Sequence, residues 1–219
     1  MPTKIKICDI RDIDTARYCY EKGVSFLGLH VIQENMINNE RLALYQRIRD
    51  ELTRIGLVLV TKITNPDTLV MLCKKVKFDY LQLHPNEKIN MMNVIEIREI
   101  FRMKQISIKI INVRSKIDID SHDIKQIAQV SDYLLFDSSL VGGTGNIVND
   151  EKLFKILPFI GDKKYFIAGG LNQCNVSKII HQFRPFAVDV QSGVENPRHY
   201  KNKALIDLFI NAVRQADST

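Results

Sequence analysis

Eight short apolar runs, each followed by a longer stretch of helical periodicity, succeed one another from one end of this chain to the other. The runs cover residues 5–8, 26–31, 57–63, 80–83, 106–113, 133–136, 165–168 and 186–190. Their near-continuous apolar character is what strands covered on both faces require. Helices are predicted between them near 13–22, 39–55, 66–76, 91–103, 121–130, 150–157, 175–183 and 203–215. Asn39 and Asn65-Pro66 read as N-terminal caps, and Gly23 and Gly56 as C-terminal stops. The alternation holds with no linker, low-complexity tract or shift of composition, which predicts one α/β domain over residues 1–219 with a parallel sheet. An open doubly wound sheet would place its Gly-rich phosphate loop after the first strand. This chain has Cys8-Asp9-Ile10-Arg11 there. A closed single-domain (β/α)8 barrel, the TIM barrel, is the expectation.

The last third of the chain says what such a barrel would hold. Gly142-Gly143-Thr144-Gly145, Ala168-Gly169-Gly170-Leu171 and Asp189-Val190-Gln191-Ser192-Gly193 follow one another, the last two directly after apolar runs. Glycines at the end of a buried strand let backbone N–H groups approach an anion, and a helix starting there adds its dipole. Two such loops after neighbouring late strands describe the phosphate site of a barrel. Gly143, Gly145, Gly169, Gly170, Ser192 and Gly193 are therefore the predicted binding positions for a phosphorylated small molecule.

Composition excludes several other classes. No run of about 18 apolar residues exists, so no membrane span is expected. The chain enters its first strand within a few residues of Met1, which leaves no signal peptide and makes the cytoplasm the expected compartment. Cys8, Cys19, Cys73 and Cys174 lack C-x-x-C spacing, so neither a zinc site nor a redox pair is expected, and Cys19 and Cys73 read as small core residues. The formal charge of +6 suits a phosphorylated substrate, but the basic residues are spread along the chain without a dense block. That pattern is a solvated surface and predicts no nucleic-acid partner. A monomer or a homodimer is expected.

Catalytic groups of such barrels lie at the C-terminal ends of strands, which selects Cys8, His84 and Asp137. For Cys8 two readings stand. It is a buried, inert thiol, or it faces the anion site with a lowered pKa. Asp137 ends the apolar run Leu134-Leu135-Phe136 and is either a loop cap or a proton-transfer group. His84 serves equally as a structural histidine or as a substrate-binding one.

These residues carry a resemblance. Lys6-Ile7-Cys8, Gln82-Leu83-His84, Ile108-Lys109 and Leu135-Phe136-Asp137-Ser138 are similar, in order and spacing, to the motifs of phosphoribosylanthranilate isomerases. So are the three glycine loops, Asn172 with Asn175-Val176, and Ser192-Gly193-Val194-Glu195. The resemblance implies a tryptophan-pathway barrel enzyme performing an Amadori rearrangement with no metal or cofactor. A general acid protonates the furanose ring oxygen, the ring opens to an iminium, and a general base removes the proton from the adjacent ribose carbon. Carried over, Cys8 is the base and Asp137 the acid, its proton retained by the apolar strand.

The departures are equally specific. Asp9 and Pro85 stand where the family has glycine. Met36 falls where an arginine would hold the anthranilate carboxylate, a contact worth about 1.5–3 kcal/mol. Thr61-Lys62-Ile63 replaces Phe-Val-Asn, and Arg198-His199-Tyr200-Lys201-Asn202 replaces Gly-x-Lys-Asp. Three functions follow: the isomerase itself with Arg41 or Lys62 supplying the missing cation, an isomerase of another phosphoribosylamine, or a non-catalytic phosphate-ligand binder. Retention of Cys8 and Asp137 argues against the third.

Overall fold

In the computed structural model, which describes residues 1–84, 91–114, 121–137 and 150–219, parallel strands follow in chain order around a closed barrel, with β1 bonded to both β2 and β8. The strands are β1 (Lys4–Ile7), β2 (Phe26–His30), β3 (Gly56–Thr61), β4 (Tyr80–Leu83), β5 (Lys109–Arg114), β6 (Tyr133–Asp137), β7 (Tyr165–Ala168) and β8 (Ala187–Val190). After each comes one helix: α1 (Ile13–Glu21), α2 (Asn39–Glu51), α3 (Pro66–Lys75), α4 (Met91–Met103), α5 (Ser121–Val130), α6 (Asp150–Ile156), α7 (Val176–Phe183) and α8 (Lys203–Ser218). The expected (β/α)8 barrel is the observed one.

Local chemistry explains where these elements begin and end. Asp12, Asn38 and Asn65 accept from the backbone N–H three residues on, at 2.7, 2.8 and 2.9 Å, which satisfies donors that a helix start leaves unpaired. Asn38, with extended backbone, is thus the cap of α2, and the expected cap Asn39 is its first helical residue. Gly23 has φ 78° just past α1, as a C-terminal stop requires. Gly56 does not stop a helix. α2 ends at Glu51 and Gly56 opens β3, where an added Cβ would lie 2.6 Å from Phe26. Residues 106–108, expected in the fifth strand, instead follow the end of α4. Gln105 turns left-handed (φ 55°) and Ile106 N–H returns to Phe101 O at 2.8 Å.

Side chains alternate between the two faces of each strand. The outward set joins the helices in the main core, while Phe26, Val58, Val60, Ile111, Leu135 and Phe166 belong to a second cluster inside the barrel. Several inward positions near the N-terminal ends are aromatic. Phe26, Tyr80, Tyr133, Phe166 and Phe186 meet there with ring centroids 5.2–6.2 Å apart and close the floor. Polar side chains are left for the other end.

Candidate active site

Cys8, His30, Lys62, Gln82, His84, Asp137 and Asp189 all line one cavity of about 450 Å³ at the C-terminal mouth, together with Gly169, Gly170 and Ser192. The structure therefore brings together every predicted site residue among those described except Gly193, which adjoins Ser192. Gly143 and Gly145 lie outside the described residues, as does Pro85.

Beneath the cavity is an ion pair that sequence reasoning missed. Lys6 and Asp189 are register partners on β1 and β8, and their Nζ and Oδ2 stand 2.7 Å apart with Lys6 fully buried. Burial works against the lysine's charge, but the Asp189 carboxylate, and then the Cys8 sulfur, hold its pKa above the ordinary value. Burial pushes the Asp189 carboxyl up while Lys6 draws it back; a 2.7 Å contact of this kind keeps the proton on nitrogen. The signal was available: a lysine and an aspartate at matching depth in two otherwise apolar runs.

The same ammonium reaches Cys8 Sγ at 3.1 Å. His30, at the end of β2, places Nε2 3.2 Å from that sulfur, and its Nδ1 lies 3.5 Å from Asp9 Oδ1. Gly28 makes room for this packing, since a Cβ there would come 2.7 Å from Cys8 Sγ and 3.1 Å from Lys6 Nζ. Of the two readings of the thiol, buried or with a lowered pKa, the surroundings produce the first. Burial pushes Cys8 up to about 11, and Lys6 offsets only part of that cost. His84 sits beside Gln82 at 2.9 Å, and burial, with Lys6 nearby, drives its pKa down to about 4.

The side of the cavity expected to take a phosphate is built from backbone. Gly169 and Gly170 have φ 88° and 62°, the left-handed region where glycine is at ease. Asn175 holds their loop in place by donating to Gly170 O at 2.9 Å and accepting from Asn172 N at 2.8 Å, just before α7. After β8 a short 3-10 helix, Ser192–Val194, packs against that loop so closely that a Cβ on Gly193 would fall 1.9 Å from Leu171 O. Lys201 ties the second loop down through Gln191 O at 3.0 Å and Glu195 Oε1 at 2.6 Å. Asn202 caps α8 by accepting from Ala204 N at 2.9 Å.

At the opposite side Met36 lies half-buried in a 3-10 turn, Glu34–Met36, and packs on the core. A second cavity of about 640 Å³, lined by Arg11, Met36, Arg41 and Tyr45, shares His30 with the first. Of the two cations expected to replace the absent arginine, Lys62 thus lines the cavity that holds Cys8 and Asp137. Arg41 lines its neighbour, where its Nη1 donates to His30 O at 2.8 Å.

Residues 5–212 match the family profile described as N-(5'phosphoribosyl)anthranilate (PRA) isomerase. The chain belongs to this family. Among curated isomerases of that name it is 30% identical to one from Leptospira borgpetersenii, over 97% of this chain and 95% of that one. It is also 30% identical to one from Sinorhizobium fredii, over 100% of this chain and 96% of the relative. The crystal structure of phosphoribosyl anthranilate isomerase from Thermotoga maritima shares the fold at a TM-score of 0.78, with 24% identity over 97% of this chain and 99% of that one. As in other isomerases of this kind, the reaction belongs to tryptophan biosynthesis. No described helix is long and apolar enough to cross a membrane.

Proposed function

We propose that this isomerase rearranges N-(5-phosphoribosyl)anthranilate with Cys8 as general base and Asp137 as general acid. The observation that carries the reading is that both residues line one cavity whose far wall is the Gly169–Gly170 and Ser192 backbone. The phosphate would rest on N–H groups of those two loops, with the start of α7 behind them. That anchoring sets the furanose between β1 and β6. Asp137 protonates the ring oxygen, the carbon–oxygen bond opens, and Cys8 takes the proton from the adjacent ribose carbon. The resulting enolamine tautomerises to the ketone. Lys6 offers its positive charge to the sulfur as the proton leaves. Asp189 Oδ1, which is buried with no hydrogen bond among the described residues, would accept one from a sugar hydroxyl.

His84 and Lys62 complete the wall around the amine portion of the substrate. A solved isomerase of the same fold (TM-score 0.76, 24% identity) is described in complex with reduced 1-(o-carboxyphenylamino)-1-deoxyribulose 5-phosphate. That compound has the two ends, phosphate and aromatic acid, that this cavity would have to accommodate. The second reading, a different phosphoribosylamine, is favoured only by the uncharged Met36. We place the protein in the cytoplasm as a monomer or homodimer.

The test is loss of phosphoribosylanthranilate fluorescence. Cys8→Ala and Asp137→Asn should each lower kcat by about 10²–10⁴-fold while a product analogue still binds. Activity within tenfold of wild type in either variant would assign that role to another residue.

A further inference from the structure

We infer that His30, oriented by Asp9, is the acceptor that relieves Cys8 of its proton, so that the base of this enzyme is a Cys8–His30–Asp9 relay rather than an isolated thiol. The inference rests on the reading of Cys8 as base. His30 and Asp9 act through the sulfur and are positioning residues.

The geometry leaves the thiol one place to donate among its described neighbours. Lys6 Nζ at 3.1 Å is a donor only, so it occupies a lone pair of the sulfur. His30 Nε2 at 3.2 Å can accept, provided the ring carries its proton on Nδ1. The Asp9 carboxylate favours that assignment by electrostatic attraction rather than by a hydrogen bond. Its Oδ1 faces Nδ1 at 3.5 Å, while Arg11 Nε donates to its other oxygen at 2.9 Å, and its pKa is lowered: burial works against the charge, and Arg11 and His30 more than compensate. The main chain that carries the ring is fixed from α2, where Arg41 Nη1 at 2.8 Å and Tyr45 Oη at 2.9 Å donate to the His30 carbonyl.

The backbone shows that Asp9 is held in place against a cost. It is 7% exposed and sits at φ 61°, a conformation in which a side chain is strained. This is the position where the resemblance led us to expect glycine. Glycine would adopt that backbone freely, yet the chain keeps a carboxylate there, aimed at a histidine that meets the catalytic sulfur.

At rest both partners are neutral. Burial raises the thiol to about 11 and lowers the imidazole to about 4, where the Asp9 carboxylate opposes the shift and the positive charge of Lys6 and Lys201 adds to it. The groups facing the pair are Lys6 from β1, Asp9 and Arg11 from the loop after it, His84 from β4, Asp189 from β8 and Lys201 ahead of α8. Once the iminium has formed, the thiol proton passes to Nε2. The thiolate then takes the proton of the adjacent ribose carbon, and that C–H electron pair becomes the carbon–carbon double bond of the enolamine as the iminium nitrogen is neutralised. Cys8 is a thiol again. The imidazolium returns its proton, through solvent in the cavity, to the Asp137 carboxylate that protonated the ring oxygen.

The experiment measures kcat and KM for phosphoribosylanthranilate against pH in wild type, His30→Ala, Asp9→Gly and Cys8→Ala. Alkylation of the Cys8 peptide by iodoacetamide is followed in parallel by mass spectrometry. His30→Ala should lower kcat about a hundredfold at neutral pH with KM changed less than about threefold. Its kcat should climb about tenfold per pH unit above neutrality, as a high-pKa thiol without an internal acceptor requires. Wild-type kcat, with the thiol proton handed to Nε2 as the carbon proton is taken up, should be flatter. Cys8 alkylation, which reads only the free thiolate of a thiol at about 11, should climb in both. Asp9→Gly, which relaxes a strained backbone and so keeps the fold, should lower kcat about tenfold. Wild-type pH profiles of kcat in both variants would overturn the relay, whatever happens to the absolute rate. If Cys8→Ala turns over normally, the underlying reading of Cys8 fails instead.

Discussion

The floor and the mouth of this barrel are the same strands read four residues apart. Phe26, Tyr80 and Tyr133 point into the floor; His30, His84 and Asp137, each four positions later on the same face, point into the mouth. The floor is rings packed edge-on and stacked, and its free energy comes from apolar area and shape. The mouth holds charges and orphan acceptors that cost stability until a ligand meets them. Stability and chemistry are thus separated along each strand, and the separation can be tested residue by residue.

The largest effects should come from one side chain at each end. Phe166→Ala removes a buried ring from the floor and should cost about 3–5 kcal/mol in urea unfolding, with kcat of the folded fraction unchanged. Lys6→Met is the exception that sharpens the comparison. It lies under the mouth, yet it should cost a similar ~3–5 kcal/mol, because Asp189 would be left buried and unpaired. It should also abolish turnover. If Lys6→Met is as stable as wild type, the ion pair does not join the two regions as described.

Two glycines give the next contrast. An Ala at Gly56 would press on Phe26 and Tyr80, and one at Gly28 on Cys8 and Lys6. Overpacking of this kind costs about 1–3 kcal/mol in each case. Gly56→Ala should appear as a lower Tm with normal kcat, whereas Gly28→Ala should also lower kcat, because the atom displaced is the proposed base. Loss of kcat in both would mean that the floor positions the mouth.

What the sequence showed and what it hid follow the same division. Alternating apolar runs and helical stretches specify a barrel, and strand-end positions led to Cys8, His84 and Asp137 without knowledge of distance. The relation of Lys6 to Asp189 stayed hidden because 183 residues separate them and only barrel closure makes them neighbours. His30 was passed over because its run was read through to Val31 as an ordinary buried strand. Asp9 was seen only as a departure from glycine; the left-handed backbone that gives the departure its meaning is a tertiary fact. The two readings of the Cys8 thiol stayed open because strand-end position says nothing about desolvation.

The pH dependence of stability should come from the mouth. His30 and His84 are both held near 4, chiefly by burial, against an ordinary 6.5. The native state then binds fewer protons than the unfolded chain between those values, so stability falls as pH drops from about 6.5 to about 4 and is unaffected by these groups above that window. Each contributes at most ~3 kcal/mol, and less with solvent reaching the cavity. On the floor, burial pushes Tyr80 up to about 12, which leaves its titration outside this range. Urea midpoints measured across the window should show a shallower slope in His84→Gln than in wild type. An equal slope would mean that His84 keeps its ordinary affinity for protons.

The smallest expected effect decides which amine the mouth was built for. Met36 packs on the core and offers no charge, while Lys62 lines the cavity that contains Cys8 and Asp137. A carboxylate on the substrate's aromatic end would therefore meet Lys62, in the same cavity as Cys8 and Asp137, before Arg41 in the adjoining one. Lys62→Ala should then raise KM for phosphoribosylanthranilate about tenfold, equivalent to ~1.4 kcal/mol, with kcat nearly unchanged because the carboxylate lies away from the bonds that change. Arg41→Ala should do less to KM. Met36→Arg should bring no gain if Lys62 already supplies the charge. A tenfold fall in KM for Met36→Arg, with Lys62→Ala silent, would reverse the conclusion: the aromatic-acid side would be unrepaired, and a phosphoribosylamine without a carboxylate would be the better substrate to offer.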